Sequence, residues 1–89
     1  FGAQPKGKLI VDNGAKEALL KSGKSLLFPG VIRIEGHFKV DDVVTICDES
    51  NYEFARGVIN YSVSDLHKIE DKKGKGEVVH RDNLVLSQR

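Results

Sequence analysis

Three histidines and one cysteine carry the most versatile side-chain chemistry in this 89-residue sequence. His37, His67, His80 and Cys47 are widely spaced, and none shows the His-x-x-x-His or Cys-x-x-Cys spacing that zinc sites use. We therefore assign no metal site. A lone cysteine cannot close a disulfide within the chain, which suits a reducing cytoplasm. Its neighbours at 43–46 read as a strand, so we expect a buried structural thiol.

Acidic pairs and a basic, glycine-containing string are the next candidates for chemistry. Asp41-Asp42 and Asp48-Glu49 fall in stretches that read as turns, where such residues serve the backbone. Ser22-Gly23-Lys24-Ser25 resembles the end of a P-loop, but Ala18 stands where the upstream glycine is required. The sequence predicts no catalytic residue and no nucleotide site, so we do not expect this chain by itself to be an enzyme.

The segment from residue 23 to residue 31 indicates binding instead. It links a predicted helix to a predicted strand and contains Gly23, Lys24, Ser25 and Gly30. A glycine-bearing turn exposes backbone N–H groups, and here they lie beside a positive charge. This combination suits a small anion or a phosphate.

The first half of the chain predicts the elements around this segment. Residues 8–11 read as a strand, Asp12 or Asn13 as the N-cap of a short helix, and Gly23 as its C-terminal glycine. Residues 25–30 read as a tight turn. Residues 31–38 alternate as in a half-buried antiparallel strand. One face of that strand is predicted to hold Ile32, Ile34 and Phe38, and the other Arg33, Glu35 and His37.

The second half predicts four further strands and one helix. Strands are expected at 43–47, 53–61, 77–80 and 84–86, with Gly57 marking a bulge or a bend. Ser62 and Asp65 form a capping box for a helix with an apolar stripe of Val63, Leu66 and Ile69. Residues 71–76 read as a loop. The sequence thus predicts a mostly β (α+β) fold, a mixed and mainly antiparallel barrel or sandwich of about six short strands and two short helices.

Composition and charge exclude some classes of protein. No stretch approaches the roughly 18 apolar residues of a membrane helix, and no signal peptide is evident. The net charge is +1, but residues 1–25 hold five Lys against Asp12 and Glu17. This balance is compatible with a phosphate-bearing partner, although lysines solvated on a small surface are the commoner arrangement. The sequence contains no Met, so we expect a piece of a longer protein.

Four strings together resemble a known family. They are Gly-Lys-Leu-Ile-Val-Asp-Asn-Gly-Ala at 7–15, Gly-Lys-Ser-Leu-Leu-Phe-Pro-Gly-Val at 23–31, Ala-Arg-Gly-Val-Ile-Asn-Tyr-Ser at 55–62 and Val-His-Arg-Asp-Asn-Leu-Val-Leu at 79–86. The pattern is similar to a PUA domain, and specifically to the C-terminal PUA domain of glutamate 5-kinases. The resemblance implies a pseudo-barrel over residues 8–87, with residues 1–7 as a linker or frayed terminus. Asp41 departs from the pattern, because a glycine is often found there.

The resemblance also implies a function for the parent chain. Glutamate 5-kinases phosphorylate L-glutamate with ATP and Mg²⁺ in proline biosynthesis, and their catalytic residues lie in an upstream domain, so this domain itself would hold no cofactor. The expected role here is a regulatory or assembly module, with the kinase domain of the same chain or neighbouring subunits as partners. The alternative is binding of structured RNA. Other PUA domains bind RNA through surfaces that correspond here to Lys16, Lys21, Gly23, Lys24, Ser25, Gly30 and Arg33.

Overall fold

The computed structural model describes residues 4–68 and 76–87. Within them, two α-helices, seven strands and two 3₁₀ turns alternate along the chain. In chain order they are β1 (Gly7–Val11), α1 (Asn13–Ser22), β2 (Leu26–Leu27), the 3₁₀ turn Phe28–Gly30, β3 (Val31–Gly36), β4 (Val43–Cys47), β5 (Glu53–Val58), α2 (Val63–Lys68), β6 (Glu77–Val79), the 3₁₀ turn Arg81–Asn83 and β7 (Leu84–Leu86).

The strands form two sheets. Five strands lie in the order β3-β1-β4-β5-β7, and β2 pairs with β6 in a separate two-stranded sheet. β1 pairs antiparallel with β3 and parallel with β4, while the β4–β5 and β5–β7 pairings are antiparallel. The predicted mixed, mainly antiparallel α+β architecture is therefore confirmed, although the five-stranded sheet does not close on itself.

One hydrophobic core is shared by both sheets and both helices. Leu9 on β1, Ile46 on β4 and Val79 on β6 belong to the same buried cluster as Leu19 of α1 and Leu66 of α2. No helix in the described part of the chain is long and apolar enough to span a membrane.

The helix ends follow the predicted capping residues. Asp12 is the N-cap of α1, and its Oδ1 accepts a hydrogen bond from the N–H of Ala15 at 2.7 Å. Gly23 ends the helix in the left-handed conformation, with φ of 58°. Ser62 Oγ accepts from the N–H of Asp65 at 3.1 Å, as in a capping box. The predicted helical Ile69 and the predicted loop at 71–75 lie outside the described residues.

Strand limits differ from the expectation where pairing is non-local. Residues 26 and 27 form β2, although the sequence predicts a turn there, because Leu26 pairs with Val79 far along the chain. β3 ends at Gly36 and β5 at Val58, earlier than the alternation predicts. β1 begins at Gly7, one residue before the predicted domain start.

A register irregularity corrects the prediction that Ile32 faces the core. Ile10 pairs with Arg33 and Val11 with Val31, so Ile32 is an extra residue on β3. The side chain of Ile32 is 54% exposed, whereas Ile34, beyond the irregularity, packs against the core. A bulge of this kind re-aims the inserted side chain, which simple alternation does not reveal.

The predicted bulge at Gly57 lies elsewhere. Ile46 pairs with Ala55 and Cys47 with Glu53, so the extra residue of β5 is Phe54, and both Phe54 and Ala55 enter the core. Gly57 pairs regularly with Val44 and Leu84. It has a different role, because a Cβ there would lie 2.5 Å from Cγ1 of Val79. Gly57 therefore allows β6 to pack closely over β5.

The turn before β4 contains a residue in the left-handed region. Asp41 has φ of 78°, and its N–H donates to the carbonyl of Ile59 at 2.8 Å. The neighbouring Asp42 accepts a hydrogen bond at Oδ2 from the N–H of Lys39, also at 2.8 Å. Asp41 thus stands, in a glycine-like conformation, at the position where the sequence departs from the family pattern.

Candidate anion-binding groove

A groove of about 650 Å³ lies between the start of α1 and the segment around β2. Segments that are distant in the sequence contribute its polar side chains. These are Asp12 at the N-cap of α1, Lys24 and Ser25 before β2, and Glu77, His80 and Arg81 around β6. We call this cavity the α1–β2 groove. Its shape, with positive side chains beside a glycine-ended helix, suits an anionic ligand.

Small residues allow α1 to lie close to the 3₁₀ turn Phe28–Gly30 across the groove. Gly14, Ala15 and Ala18 line the groove from the helix, and Gly30 lines it from the 3₁₀ turn. A Cβ built on Gly30 would lie only 2.6 Å from Cβ of Ala15. The helix and the turn are therefore in direct contact, and any side chain at position 30 would force them apart.

Ser25 links the loop after α1 to the segment after β6. Its Oγ accepts a hydrogen bond from the backbone N–H of Arg81 at 2.9 Å. Next to it, Nδ1 of His80 accepts from the N–H of Asp82 at 3.0 Å, which fixes the first turn of the Arg81–Asn83 segment. The backbone at Arg81 is thus tied to the loop that follows α1.

Two cations of the groove have little competition from carboxylates. Lys24 is exposed and has no acidic side chain within 4.0 Å among residues 4–68 and 76–87. The Arg81 guanidinium is 65% exposed, and its Nε lies 4.0 Å from Asp82. Both side chains remain available to a ligand, because a bridge this long between exposed groups contributes little.

The carboxylates of the groove already have partners. Oδ1 of Asp12 accepts the α1 capping bond, and Oε1 of Glu77 lies 3.6 Å from Nε2 of His80. The Asp12 contact is a structural hydrogen bond, whereas the Glu77 contact is longer than a hydrogen bond. Lys24 and Arg81 are the cations that an anion in the groove would contact, and the two carboxylates would oppose a high negative charge there.

The residues predicted for binding do not all meet in one place. Lys24, Ser25 and Gly30 line the α1–β2 groove, and Gly23 precedes them as the left-handed end of α1. The side chain of Lys21 bridges to Glu17 at 2.9 Å and is 74% exposed. Arg33 lies on β3 beside a second groove, with its Nε 2.9 Å from Glu35.

Lys16 has a structural partner instead. Its Nζ donates to Oδ2 of Asp48 at 2.8 Å and lies 5.6 Å from the centre of the Phe54 ring. Oδ1 of Asp48 also accepts from the N–H groups of Ser50 and Tyr52. The hydrogen bond from Lys16, and after it the N–H of Tyr52, hold the pKa of Asp48 below its ordinary value. This cluster ties α1 to the β4–β5 turn.

Sequence reasoning missed the contribution of His80 and Arg81 to the groove. They lie more than 50 positions after Lys24 and Ser25, and only the pairing of β2 with β6 brings them together. Residues 80 and 81 belong to the string at 79–86 that resembles the family, and this was the one sequence feature that marked them. Nothing local to residues 80 and 81 reveals which surface they join.

The cysteine and the histidines were the remaining candidates for chemistry. Cys47 is buried, as the sequence predicts, and burial is the main cause that raises the pKa of its thiol. The positive charge of Lys8 partly opposes that effect. Within the described ranges, no group of three or more His, Cys, Asp or Glu side chains is placed to hold a metal ion.

The family model of the PUA domain matches residues 7–81. Glutamate 5-kinase of Dictyoglomus thermophilum is 46% identical and is aligned over 100% of this chain, which corresponds to 27% of that relative. Glutamate 5-kinase of a Cyanothece strain is 43% identical, over 93% of this chain and 26% of its own length. The chain thus spans about a quarter of the curated relatives that it matches.

Solved structures show the same fold. A PUA domain from Aeropyrum pernix, solved as a tartrate complex, superposes with a TM-score of 0.75 at 38% identity, covering 85% of this chain and 41% of that one. An H/ACA ribonucleoprotein bound to a substrate RNA contains a chain that superposes with a TM-score of 0.69. That match is 22% identical, covers 93% of this chain and 24% of the other, and supports the fold alone.

Proposed function

The chain belongs to the PUA domain family, and from this premise we propose that it is a non-catalytic regulatory or assembly module of a glutamate 5-kinase. One observation carries the proposal: relatives above 40% identity match essentially the whole chain, yet the match covers only about a quarter of their length. The ATP-dependent phosphorylation of L-glutamate, with its Mg²⁺, would then belong to the rest of the parent chain. A cytoplasmic location agrees with the lone, buried Cys47.

The environment of the acidic groups supports a non-catalytic role. Asp12 caps α1, Asp42 accepts a backbone bond in the turn before β4, and Asp48 is held by Lys16 and two backbone N–H groups. General acid–base catalysis needs a carboxyl or imidazole that can reach a substrate and exchange a proton with it. These carboxylates instead hold the fold together.

Deletion of this domain from a full-length parent kinase tests the proposal. We expect the truncated kinase to keep glutamate phosphorylation with changed feedback inhibition, a changed oligomeric state, or both. Steady-state kinetics and sedimentation of the two proteins would show this. Complete loss of activity in a truncated but folded kinase would contradict the non-catalytic role. Unchanged inhibition and unchanged oligomeric state would contradict the regulatory and assembly role.

A second candidate function, binding of structured RNA, is favoured by the α1–β2 groove. In the described part of the chain, Lys24 has no acidic side chain within 4.0 Å, and Arg81 has only an exposed contact with Asp82 at 4.0 Å. The Ser25 hydroxyl holds the backbone at Arg81 beside the loop that carries Lys24. Phosphate contacts by such cations make affinity fall as the salt concentration rises. For single strands, each contact lowers the logarithm of the affinity by about 0.7 for every tenfold rise in salt. The sparse aromatic content, two Tyr and four Phe, argues against extensive base stacking.

Titration of the chain with a structured RNA pool at several salt concentrations tests this candidate. If the groove binds RNA, the Lys24→Glu/Arg81→Glu variant should lose affinity and most of the salt dependence. Lys39→Glu/Lys68→Glu is the matched control, because both side chains are exposed, lie outside the groove and give the same change of charge. Equal binding by wild type and the double variant, or no binding at low salt, would rule the groove out as an RNA site.

A further inference from the structure

We propose that two copies of this chain pair through the free edge of β3, so that their five-stranded sheets join across a two-fold axis. The proposal deepens the assembly role given above and rests on it, because it names the partner as a second copy of the same domain.

The outer edge of β3 is open. β3 pairs with β1 on one side, and no backbone group among residues 4–68 and 76–87 pairs with it on the other. Ile32 is 54% exposed, and a groove of about 510 Å³ lined by Ile32, Ile34 and Leu66 runs beside the strand. An unpaired strand with exposed apolar side chains is a template for another strand.

The pairing with β1 shows which face of the sheet each side chain occupies. Ile34 lies opposite Leu9, which is buried in the core, so Ile34 is on the inner face. Arg33 and Glu35 flank Ile34 and therefore lie on the outer face. Their side chains are 56% and 43% exposed, and within one chain they form an ion pair, with Nε of Arg33 2.9 Å from Glu35. Pairing of two copies would exchange this contact for the same contact between chains.

Of the two symmetric registers that pair five residues of β3 with themselves, only one avoids repulsion. A two-fold axis perpendicular to the sheet keeps the inner faces of the two sheets on the same side. Under this symmetry, two antiparallel registers pair five residues of the Val31–Gly36 strand in each copy. The register centred on Arg33 places the two guanidinium groups opposite each other. The register centred on Ile34 places Arg33 opposite Glu35 of the second copy, twice, and Ile34 opposite its counterpart. Opposite charges in direct cross-strand positions stabilise a pair, and like charges destabilise it.

The end of the strand fits the same register. Centring on Ile34 brings the exposed Ile32 opposite Gly36 of the second copy, which has no side chain to clash with it. Charged residues normally protect an edge strand, because a copy of the strand presents the same charge to itself. Here the order Arg-Ile-Glu is self-complementary, so the charges select a register instead of preventing one.

The strength of the pairing follows from its size. A five-residue strand pair buries less than the 1,000 Å² or so that stable interfaces need, so the isolated chain should associate weakly, with a Kd on the order of 100 µM. Several copies held in a larger assembly would pair much more strongly, because their effective concentration is higher.

Two charge-reversal variants test the proposal. Arg33→Glu and Glu35→Arg each place like charges opposite each other at both outer positions of the register, so each alone should associate at least about tenfold more weakly than wild type. An equimolar mixture of the two variants should associate as well as wild type, because every acidic site then faces a basic one. Sedimentation from about 10 µM to about 1 mM chain measures all three. Circular dichroism confirms that the variants are folded.

Arg56→Glu is the control for net charge. Arg56 lies on β5, which β1 and β4 separate from β3, so its reversal should leave self-association unchanged. The pairing is overturned if wild type stays monomeric up to about 1 mM, or if the mixture associates no better than its components. These outcomes concern association of the domain alone. They are therefore distinct from the kinase deletion, which can fail or succeed independently.

Discussion

Asp41 adopts a backbone conformation that only glycine accepts without cost. Its φ of 78° brings Cβ close to the backbone, at about 1–2 kcal/mol for most residues and less for Asp. We predict that Asp41→Gly stabilises the domain by at most about 1 kcal/mol, because the greater freedom of glycine in the unfolded chain offsets part of the relieved strain. Urea unfolding followed by circular dichroism measures the change.

The adjacent residue gives the matched control for this substitution. Asp42→Gly removes the carboxylate that accepts a hydrogen bond from the N–H of Lys39, so it should destabilise by about 1 kcal/mol. A lower stability of Asp41→Gly than of wild type would show that the Asp41 side chain has a compensating role. That outcome would contradict the strain argument.

Asp48 is expected to make stability depend on acid pH. Its folded pKa is lowered, first by the hydrogen bond from Lys16, whereas the unfolded carboxyl titrates near about 3.9. The stabilising contribution is therefore complete above the unfolded pKa and is lost as pH falls through the folded pKa. We predict that the stability difference between wild type and Asp48→Asn is constant above about pH 5 and shrinks below about pH 4.

Urea unfolding of both proteins between about pH 2.5 and pH 7 measures this dependence. Asp82→Asn is the control, because that carboxylate is 79% exposed and lies 4.0 Å from its arginine partner. A difference between wild type and Asp48→Asn that stays constant down to the lowest pH would contradict the role given to the Lys16 contact.

At the scale of elements, the contact of α1 with the 3₁₀ turn depends on the absence of a side chain at residue 30. We predict that Gly30→Ala destabilises by about 1–3 kcal/mol, because its Cβ would meet Cβ of Ala15 at 2.6 Å. Adding Ala15→Gly removes this contact and should recover part of the lost stability. The recovery is smaller by the roughly 1 kcal/mol that glycine costs inside a helix. Thermal unfolding of the single and double variants measures both effects.

Gly14→Ala provides the comparison within the same groove. A Cβ there would have only Oδ1 of Asp12 nearby, at 3.4 Å, which is an ordinary contact distance. Since Ala favours the helix, Gly14→Ala should be neutral or slightly stabilising. If both alanine variants had the same stability as wild type, α1 would have room to move away from the turn, contrary to the close packing described.

Local patterns predicted most elements, and non-local pairing explains the errors. Asp12, Gly23 and Ser62 mark helix ends by their own hydrogen-bonding and backbone preferences, which a sequence displays directly. β2 was missed because two residues become a strand only when β6 lies beside them. The exposure of Ile32 was missed because a bulge depends on how two strands match in length.

The residues of the candidate site divide in the same way between local and non-local signals. Lys24, Ser25 and Gly30 belong to one continuous segment, so the turn chemistry of that segment was enough to select them. Arg81 lies at the α1–β2 groove only because β6 pairs with β2 in the folded chain. Lys16 was selected as a cation on the correct helix, but its partner Asp48 lies 32 positions away, and only the structure reveals that pair.

At the scale of the molecule, the chain has the core of an independent domain. Its buried cluster includes residues from both sheets and both helices, although the chain covers only 27% of a related kinase. We predict cooperative two-state unfolding of the isolated chain, with a slope of about 1 kcal/mol/M in urea. Far-UV circular dichroism and NMR amide signals should change at the same urea concentration. Separate transitions would show that the two sheets unfold independently.

The position of β1 inside the sheet sets the order in which the domain can form during synthesis. β1 is the first strand of the chain, yet its neighbours in the sheet are β3 and β4, and β4 ends at Cys47. A ribosome adding about 5–20 residues per second needs roughly 2–7 s to extend the chain from the end of β1 to the end of β4. During that interval the strand Gly7–Val11 lacks at least one of its two neighbours, and it is then available to chaperones.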